Sequence, residues 1–365
     1  MNRLRTFLAW VQKNERHLSA PVFVSGFIFD LFTVGRLSLS HAVVLYGSYV
    51  VAAALTTIGA HYLYVHSEHE GWFFRTLRTL LSLAAQFTTG GLLSGCLIFY
   101  TKSAALAASW PFVLLLIIIF IGNEAFRHYR ERLAFRSVLF FFTLYAYAIF
   151  ALPTVLKTLD IKTFIESTAV AVIGFLIFLL ILAATGWKRL KSSLKEITIA
   201  VVFVAALVNV SYFTGIIPPL PLALRDAGVY HSVTHTSQGY EVTGEGDTYA
   251  WWDVAHIRST IVHYTPGTPL SVYSAVFAPI SLSTGIVHTW EWYDVSSHRW
   301  ILKSEIAFPI QGGRDGGYRG YSTLSNLAAG RYRVSIETLS GQAIGRIYFN
   351  LENVTTEPVL YTVVK

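Results

Sequence analysis

The chain has 365 residues, 53% of them hydrophobic and 13% charged, with a formal net charge of +7 and a mean hydropathy of +0.50. An ordinary soluble domain carries about 25% charged residues. The composition therefore excludes a soluble enzyme and a disordered chain, and leaves an integral membrane protein or a very apolar hybrid. The charge is split: residues 1–224 hold 18 Lys+Arg against 9 Asp+Glu, a net of +9, and residues 225–365 hold 10 against 12, a net of −2. The basic balance belongs to the apolar half, so no nucleic-acid partner is implied.

Residues 1–20 read as a short cytoplasmic amphipathic helix, with Leu4, Phe7, Leu8 and Val11 on one face and Arg3, Arg5, Lys13 and Arg16 beside them. No small-residue cleavage site closes the apolar segment that follows, so it reads as an uncleaved first span. Spanning a bilayer takes about 20 apolar residues in a helix. Seven segments qualify within residues 21–217: Pro21–Leu39, Ala42–Tyr64, Thr79–Tyr100, Ala104–Gly122, Ser137–Leu156, Phe164–Trp187 and Ile197–Ile217. With the N-terminus cytoplasmic, 14 Lys and Arg fall on the inner side. Lys102, Lys157 and Lys162 fall on the outer side, with Arg36 near the end of the first span. This positive-inside bias and an odd number of spans place residues 225–365 outside the cytoplasm. The single cysteine, Cys96, lies in an apolar run and cannot form an internal disulfide.

Residues 218–228 read as a stiff linker, opened by Pro218-Pro219-Leu220-Pro221. Beyond it the hydrophobic period changes from helical to alternating, in runs such as Val272–Phe277, Arg331–Glu337, Val254–His263, Ile286–Asp294, Arg299–Phe308 and Ala343–Leu351. Seven to nine short strands in residues 229–365 predict an all-β, immunoglobulin-like antiparallel sandwich. Ala329-Gly330-Arg331-Tyr332 resembles a tyrosine corner, in which a Tyr hydroxyl ties back to upstream backbone. The fold class expected is thus an all-α bundle of seven transmembrane helices followed by a sandwich.

Several strings, read in order, carry a family resemblance. They are Gly26-Phe27-Ile28-Phe29-Asp30 with Arg36, Gln86-Phe87 before Gly90-Gly91, and Gly122-Asn123-Glu124. Later come Ile216–Leu222, His288-Thr289-Trp290-Glu291, Gly312-Gly313-Arg314 and Gly317-Tyr318-Arg319-Gly320-Tyr321. Together they resemble a bacterial inner-membrane family known as a domain of unknown function, DUF 2914, over most of the chain. The resemblance implies an inner-membrane location with the sandwich in the periplasm, and no established activity.

Three sets of residues are candidate sites. In the membrane half, Asp30 and Arg36 share the first span. Six residues put them about 9 Å apart along a helix axis and roughly on opposite sides, so they do not pair directly. Gln86, Asn209 and Glu124 are the candidate partners. An ionisable group at membrane depth faces a cavity or is tied to a partner, and both readings stand for Asp30. In the outer half, Arg314 and Arg319 with Tyr318 and Tyr321 lie in a glycine-rich loop, residues 311–321. Its guanidinium groups suit carboxylate or phosphate, or pair with Asp315 and nearby acids. His288, Trp290 and Trp292 share one strand face, as sandwich core or as an aromatic platform for sugar rings.

His61, His66, His69, Glu68 and Glu70 cluster near the end of the second span without a tight ligand spacing, so no metal is expected. His231 and His235 lie about 13 Å apart on a strand. No Ser-His-Asp order, Cys-x-x-Cys, P-loop ending or dinucleotide fingerprint occurs, so no cofactor and no catalytic residue is expected. The first functional reading is a membrane-anchored binding or envelope-organising protein that recognises an anionic glycan, a lipid-linked precursor or a partner protein. The second is a membrane enzyme or transporter for lipid-linked or small anionic substrates with an intrabundle polar site. The third is a structural scaffold.

Overall fold

The structure is a computed structural model and describes residues 21, 24–25, 27–30, 32, 39–66, 71–103, 114–119, 132–214, 216–217, 222–245, 260–277, 284–310, 318–355 and 358–365. The chain divides into a helical unit, residues 1–100, 113–156 and 161–210, and a second unit made mainly of residues 211–365.

The helical unit contains α1 (Leu39–Val65), α2 (Trp72–Ser103), α3 (Leu133–Leu156) and α4 (Ile161–Phe213). These four are long and apolar enough to cross a membrane, against the seven spans read from the sequence. The first and fourth expected spans fall largely outside the described residues, where positions 24–25, 27–30 and 114–119 are helical. The sixth and seventh run together as α4, interrupted only at Gly186 (φ 179°, ψ 70°). The expected polar connection after Trp187 is helical because Leu190, Leu194 and Ile197 recur at helical spacing. Leu190 and Ile197 are buried and Leu194 is half-buried.

α3 is the central helix, with Phe140, Phe141, Phe142, Tyr145, Ile149 and Phe150 all buried. It is fastened by polar groups as well as by packing. Asn209 donates to the Tyr145 hydroxyl (3.0 Å), which lies 2.8 Å from Thr168, and Thr168 donates to the Phe164 carbonyl (3.0 Å). Each hydroxyl has one proton, so the chain of bonds runs in one direction from Asn209 to Phe164. Tyr147 ties α3 to α1 through the Val43 carbonyl (2.9 Å). Close α1–α2 packing depends on small residues: a Cβ at Gly91 or Gly95 would overlap the rings of Tyr49 and Tyr46.

The second unit is all-β and holds eleven strands among the described residues. They are β1 (Ala223–Tyr230), β2 (Ser232–Thr236), β3 (Gly239–Glu245), β4 (Thr260–Tyr264), β5 (Leu270–Phe277), β6 (Thr284–Asp294), β7 (Arg299–Ile310), β8 (Tyr318–Leu324), β9 (Gly330–Thr338), β10 (Ala343–Asn353) and β11 (Leu360–Val364). They form three sheets in the orders β1-β5-β8, β4-β10-β9-β6-β7 and β11-β3-β2. All pairings are antiparallel except β4 with β10, which is parallel, a departure from the purely antiparallel expectation. β1 occupies most of the stretch read as linker, pairing with β5 from Ala223 to Tyr230.

The core lies between the first two sheets and includes Tyr264, Val272, Val276, Ile286, Trp290, Tyr332, Val334 and Phe349. β5 is buried on both faces, which places it in the interior. Tyr332 donates its hydroxyl to the Ala328 carbonyl (2.9 Å) and stacks on Phe349, the geometry of a tyrosine corner.

Candidate functional site

The helix ends of the first unit enclose a cavity of about 230 Å³ lined by Thr57, Ala60, His61, Tyr64, Arg78, Ser82, Leu133, Arg136 and Arg189. Three arginines arrive from three helices: Arg78 one turn and a half into α2, Arg136 at the start of α3, and Arg189 just past the break in α4. Among the described lining residues there is no carboxylate. The Arg189 guanidinium stacks on the Tyr64 ring at 3.6 Å, and Arg136 lies 3.5 Å from the Ser82 hydroxyl.

His61 is 2% exposed, and neither ring nitrogen has a hydrogen-bond partner of normal geometry. It is held there by the break in α4. A Cβ at Gly186 would come within 2.7 Å of His61 Nε2 and 2.6 Å of Val65 Cγ2, so only glycine lets α4 approach α1 so closely. Arginine is charged at every accessible pH and offers a planar fork of donors matched to phosphate and carboxylate. Three such forks and an imidazole around one cavity can hold and neutralise an anion. The neighbouring cavity, about 20 Å³ and room for about one water, shares Thr57 and Arg136 with the first and is lined by Gln86.

The sequence-read candidates are distributed as follows. Asp30 is fully buried and accepts a hydrogen bond from Ser94 of α2, which also lies 2.8 Å from the Gly91 carbonyl. Its described side-chain contact is therefore neither Gln86 nor Asn209. Asn209 bonds Tyr145 instead, and Gln86 sits near Arg136. Arg36, Glu124 and Arg314 lie outside the described residues, as do residues 67–70 of the His/Glu cluster. His66 stacks on Tyr62. Among the described residues no group of three metal-ligating side chains comes together.

The second half of the glycine-rich loop is a strand. Tyr318 to Leu324 pair with β5 from Val276 to Leu270. Gly320 permits this, because a Cβ there would overlap the Phe308 ring. Tyr318 packs against the core. Arg319 is exposed, but its guanidinium donates to the Lys365 carbonyl (2.8 Å). Tyr321 is 39% exposed and meets Tyr240 edge to face.

His288 and Trp290 are fully buried, so they offer no face on which a sugar could stack. Trp290 donates to Ser322 (2.8 Å). His288 Nδ1 lies 2.8 Å from the same hydroxyl, and its Nε2 lies 2.8 Å from Ser274. The indole can only donate, which leaves the Ser322 proton available to Nδ1; with the His288 proton on Nε2 toward Ser274, every one of these groups is satisfied. Burial holds this imidazole neutral, its pKa pushed down to about 3. Trp292 is half-buried at the edge of the core, with Lys303 over its ring.

A third polar cluster was not singled out from the sequence as a site. Glu245, at the end of β3, accepts from His231 Nε2 (3.1 Å), His263 Nδ1 (2.6 Å) and the His263 backbone N–H (2.7 Å). It links two sheets. Burial raises the Glu245 pKa, but the hydrogen bonds from His263 and His231 outweigh that and hold it below the usual range.

No curated protein matches this sequence significantly. Solved structures similar at low identity include two from pseudomonads. One is an immunoglobulin-like protein from Pseudomonas aeruginosa, 11% identical, with 36% of this chain and 98% of that one covered and a TM-score of 0.21. The other is an alkylpurine DNA glycosylase of Pseudomonas fluorescens bound to DNA containing an abasic site analog, 12% identical, with 82% and 98% covered and a TM-score of 0.22. Residues 283–351, from β6 through most of β10, match the model of the family described as "Protein of unknown function (DUF2914)", which supports assigning this part of the all-β half to that family.

Proposed function

We propose that this is a multi-pass membrane protein whose helical half binds a phosphate-bearing anion at its cytoplasmic face and carries an immunoglobulin-like sandwich into the bacterial periplasm. The observation that carries the reading is the convergence of Arg78, Arg136, Arg189 and the buried His61 on one cavity. Two further features support a membrane setting. α4 exposes Ile165, Ile173, Leu176, Leu180, Val202 and Phe203, an apolar surface that water would penalise and lipid would not. The cavity arginines also belong to the basic set that the positive-inside rule assigns to the cytoplasm.

The lining supplies donors and positive charge. It brings no carboxylate pair or thiol among the described residues, so recognition of an anion is the activity it supports. The test is calorimetric titration of the full-length protein, in mild detergent, with inorganic phosphate and pyrophosphate. Binding is expected to weaken as salt rises. Each of Arg78→Gln, Arg136→Gln and Arg189→Gln is expected to weaken it about tenfold or more, since a hydrogen bond to a charged group contributes about 1.5–3 kcal/mol. Unchanged affinity in all three variants refutes the site.

A further inference from the structure

We infer that the anion held by this cavity is the head group of a membrane lipid, an inference that rests on the anion-site reading above. The first ground is size. A pocket that encloses a drug-sized ligand measures about 300–1,000 Å³, and this one is about 230 Å³. It takes a phosphate with its immediate substituent and leaves the rest of a larger molecule outside.

The second ground is what lies outside. Of the described lining residues only Tyr64 is exposed, at 55%. The three arginines are half-buried and the threonine and histidine are buried. The most exposed part of the lining is therefore an aromatic ring with a guanidinium stacked on it. The same helix ends expose Tyr62, Trp72, Phe73, Phe74 and Trp187. Trp72 lies six residues, about 9 Å of helix, before Arg78. Exposed Trp and Tyr at helix ends mark the level of the head groups; acyl chains pack against such rings, and the exposed Arg75, Arg132 and Lys188 beside them suit an anionic head group. A phosphate entering past Tyr64 at this depth brings its chains with it.

The third ground is the unsatisfied imidazole. His61 is buried with neither nitrogen in a hydrogen bond of normal geometry, although the Gly186 and Leu182 backbone lies close by, and a phosphate ester oxygen in the cavity would supply a better acceptor. The arginines fix the charge, and the histidine adds a donor deeper in the bundle than bulk ions need to reach.

The experiment is native mass spectrometry of the full-length protein after delipidation, reloaded with phosphatidic acid, phosphatidylglycerol or phosphatidylcholine, and challenged with inorganic phosphate and pyrophosphate. The expected result is one retained phosphatidic acid or phosphatidylglycerol that equimolar inorganic phosphate does not displace. Retention should fall about tenfold in Arg136→Gln and in Arg189→Gln, and phosphatidylcholine should be lost. Arg136→Lys, which keeps the charge, serves where the glutamine variant fails to accumulate, and should retain lipid better than any neutral substitution there. If inorganic phosphate or pyrophosphate binds and displaces the lipid at equal concentration, the arginine site stands and the lipid inference falls. If lipid is retained equally by wild type and the arginine variants, the bound molecules are annular and the inference falls. If neither lipid nor free phosphate binds, both readings fall.

Discussion

Replacing Gly186 by alanine sets two effects of opposite sign against each other. Glycine inside a helix is less favourable than alanine by about 0.5–1 kcal/mol. If the interruption of α4 followed only from this propensity, Gly186→Ala would extend the helix and stabilise the protein. The backbone at Gly186 is extended, φ 179°, so an added Cβ meets no left-handed strain. It meets side chains instead: Val65 Cγ2 at 2.6 Å and His61 Nε2 at 2.7 Å. Both belong to α1: Val65, at its end, is 38% exposed and can give way in part, but the other is the cavity histidine, buried at 2% exposure. Overpacking of this kind costs about 1–3 kcal/mol. The net expectation is a loss on the order of 1–2 kcal/mol, with α1 pushed from α4 and the His61–Arg189 edge of the cavity opened. Thermal unfolding of the detergent-solubilised protein should show a lower melting temperature for Gly186→Ala, and titration with pyrophosphate should show weaker binding. A higher melting temperature with unchanged binding would refute the argument that close approach, rather than helix propensity, fixes glycine at this position.

Trp290→Ala should destabilise the β half by about 3–5 kcal/mol, whereas Trp290→Phe, which removes mainly the bond to Ser322, should cost about 1 kcal/mol plus a small packing loss; denaturant melts followed by near-UV circular dichroism separate the two. His288 has a folded pKa near 3 against about 6.5 unfolded. Its contribution is therefore complete above about pH 6.5 and falls by about 1.4 kcal/mol per pH unit as pH drops from there toward 3. His288→Gln should flatten that part of the stability–pH profile, and an unchanged slope would show that the imidazole is not the titrating group. The Glu245 carboxyl, held below its ordinary value by His263 and His231, adds stability above the unfolded carboxylate pKa that is lost as pH falls through its lower folded value, so Glu245→Gln should remove an acid-side component distinct from that of His288. For topology, a phosphatase reporter fused after Lys365 should be active and one fused after Lys191 silent; the reverse pattern overturns the orientation.

The β half was the more legible part, because alternation survives where one face is buried. β6, β7, β9 and β10 fall where apolar and polar residues alternate, and the Tyr332 hydroxyl finds backbone four residues upstream as the Ala-Gly-Arg-Tyr string suggests. β8 was hidden because Tyr-Arg-Gly-Tyr has the composition of a loop. Only the Phe308 ring, three residues before the expected loop begins at Gln311, shows why Gly320 belongs in a strand. In the helical half, the segment after Gly186 reads as a connection because lysine, arginine and serine dominate it. Leu190, Leu194 and Ile197 carry a helical stripe through that polar composition. The cavity itself was hidden for a different reason. Arg78, Arg136 and Arg189 entered the sequence reading only as charges on one side of a membrane, and residues on three helices have no spacing along the chain that announces a meeting point.

The two fully enclosed histidines bear on where a ligand belongs. A buried polar group left without a hydrogen bond costs about 1–3 kcal/mol, and a well-packed fold closes such groups. In the β half this is done completely: His288 has Ser274 on one nitrogen and Ser322 on the other, and Ser322 also satisfies the Trp290 indole. Nothing is left over for a ligand, and the site is architecture. His61 is 2% exposed, yet neither of its nitrogens has a hydrogen bond of normal geometry, and it borders a cavity lined by three arginines. Such a deficit persists where a bound molecule removes it. The same chemical group thus marks a core in one half of the protein and a binding site in the other, and the difference lies in the partners that surround each ring.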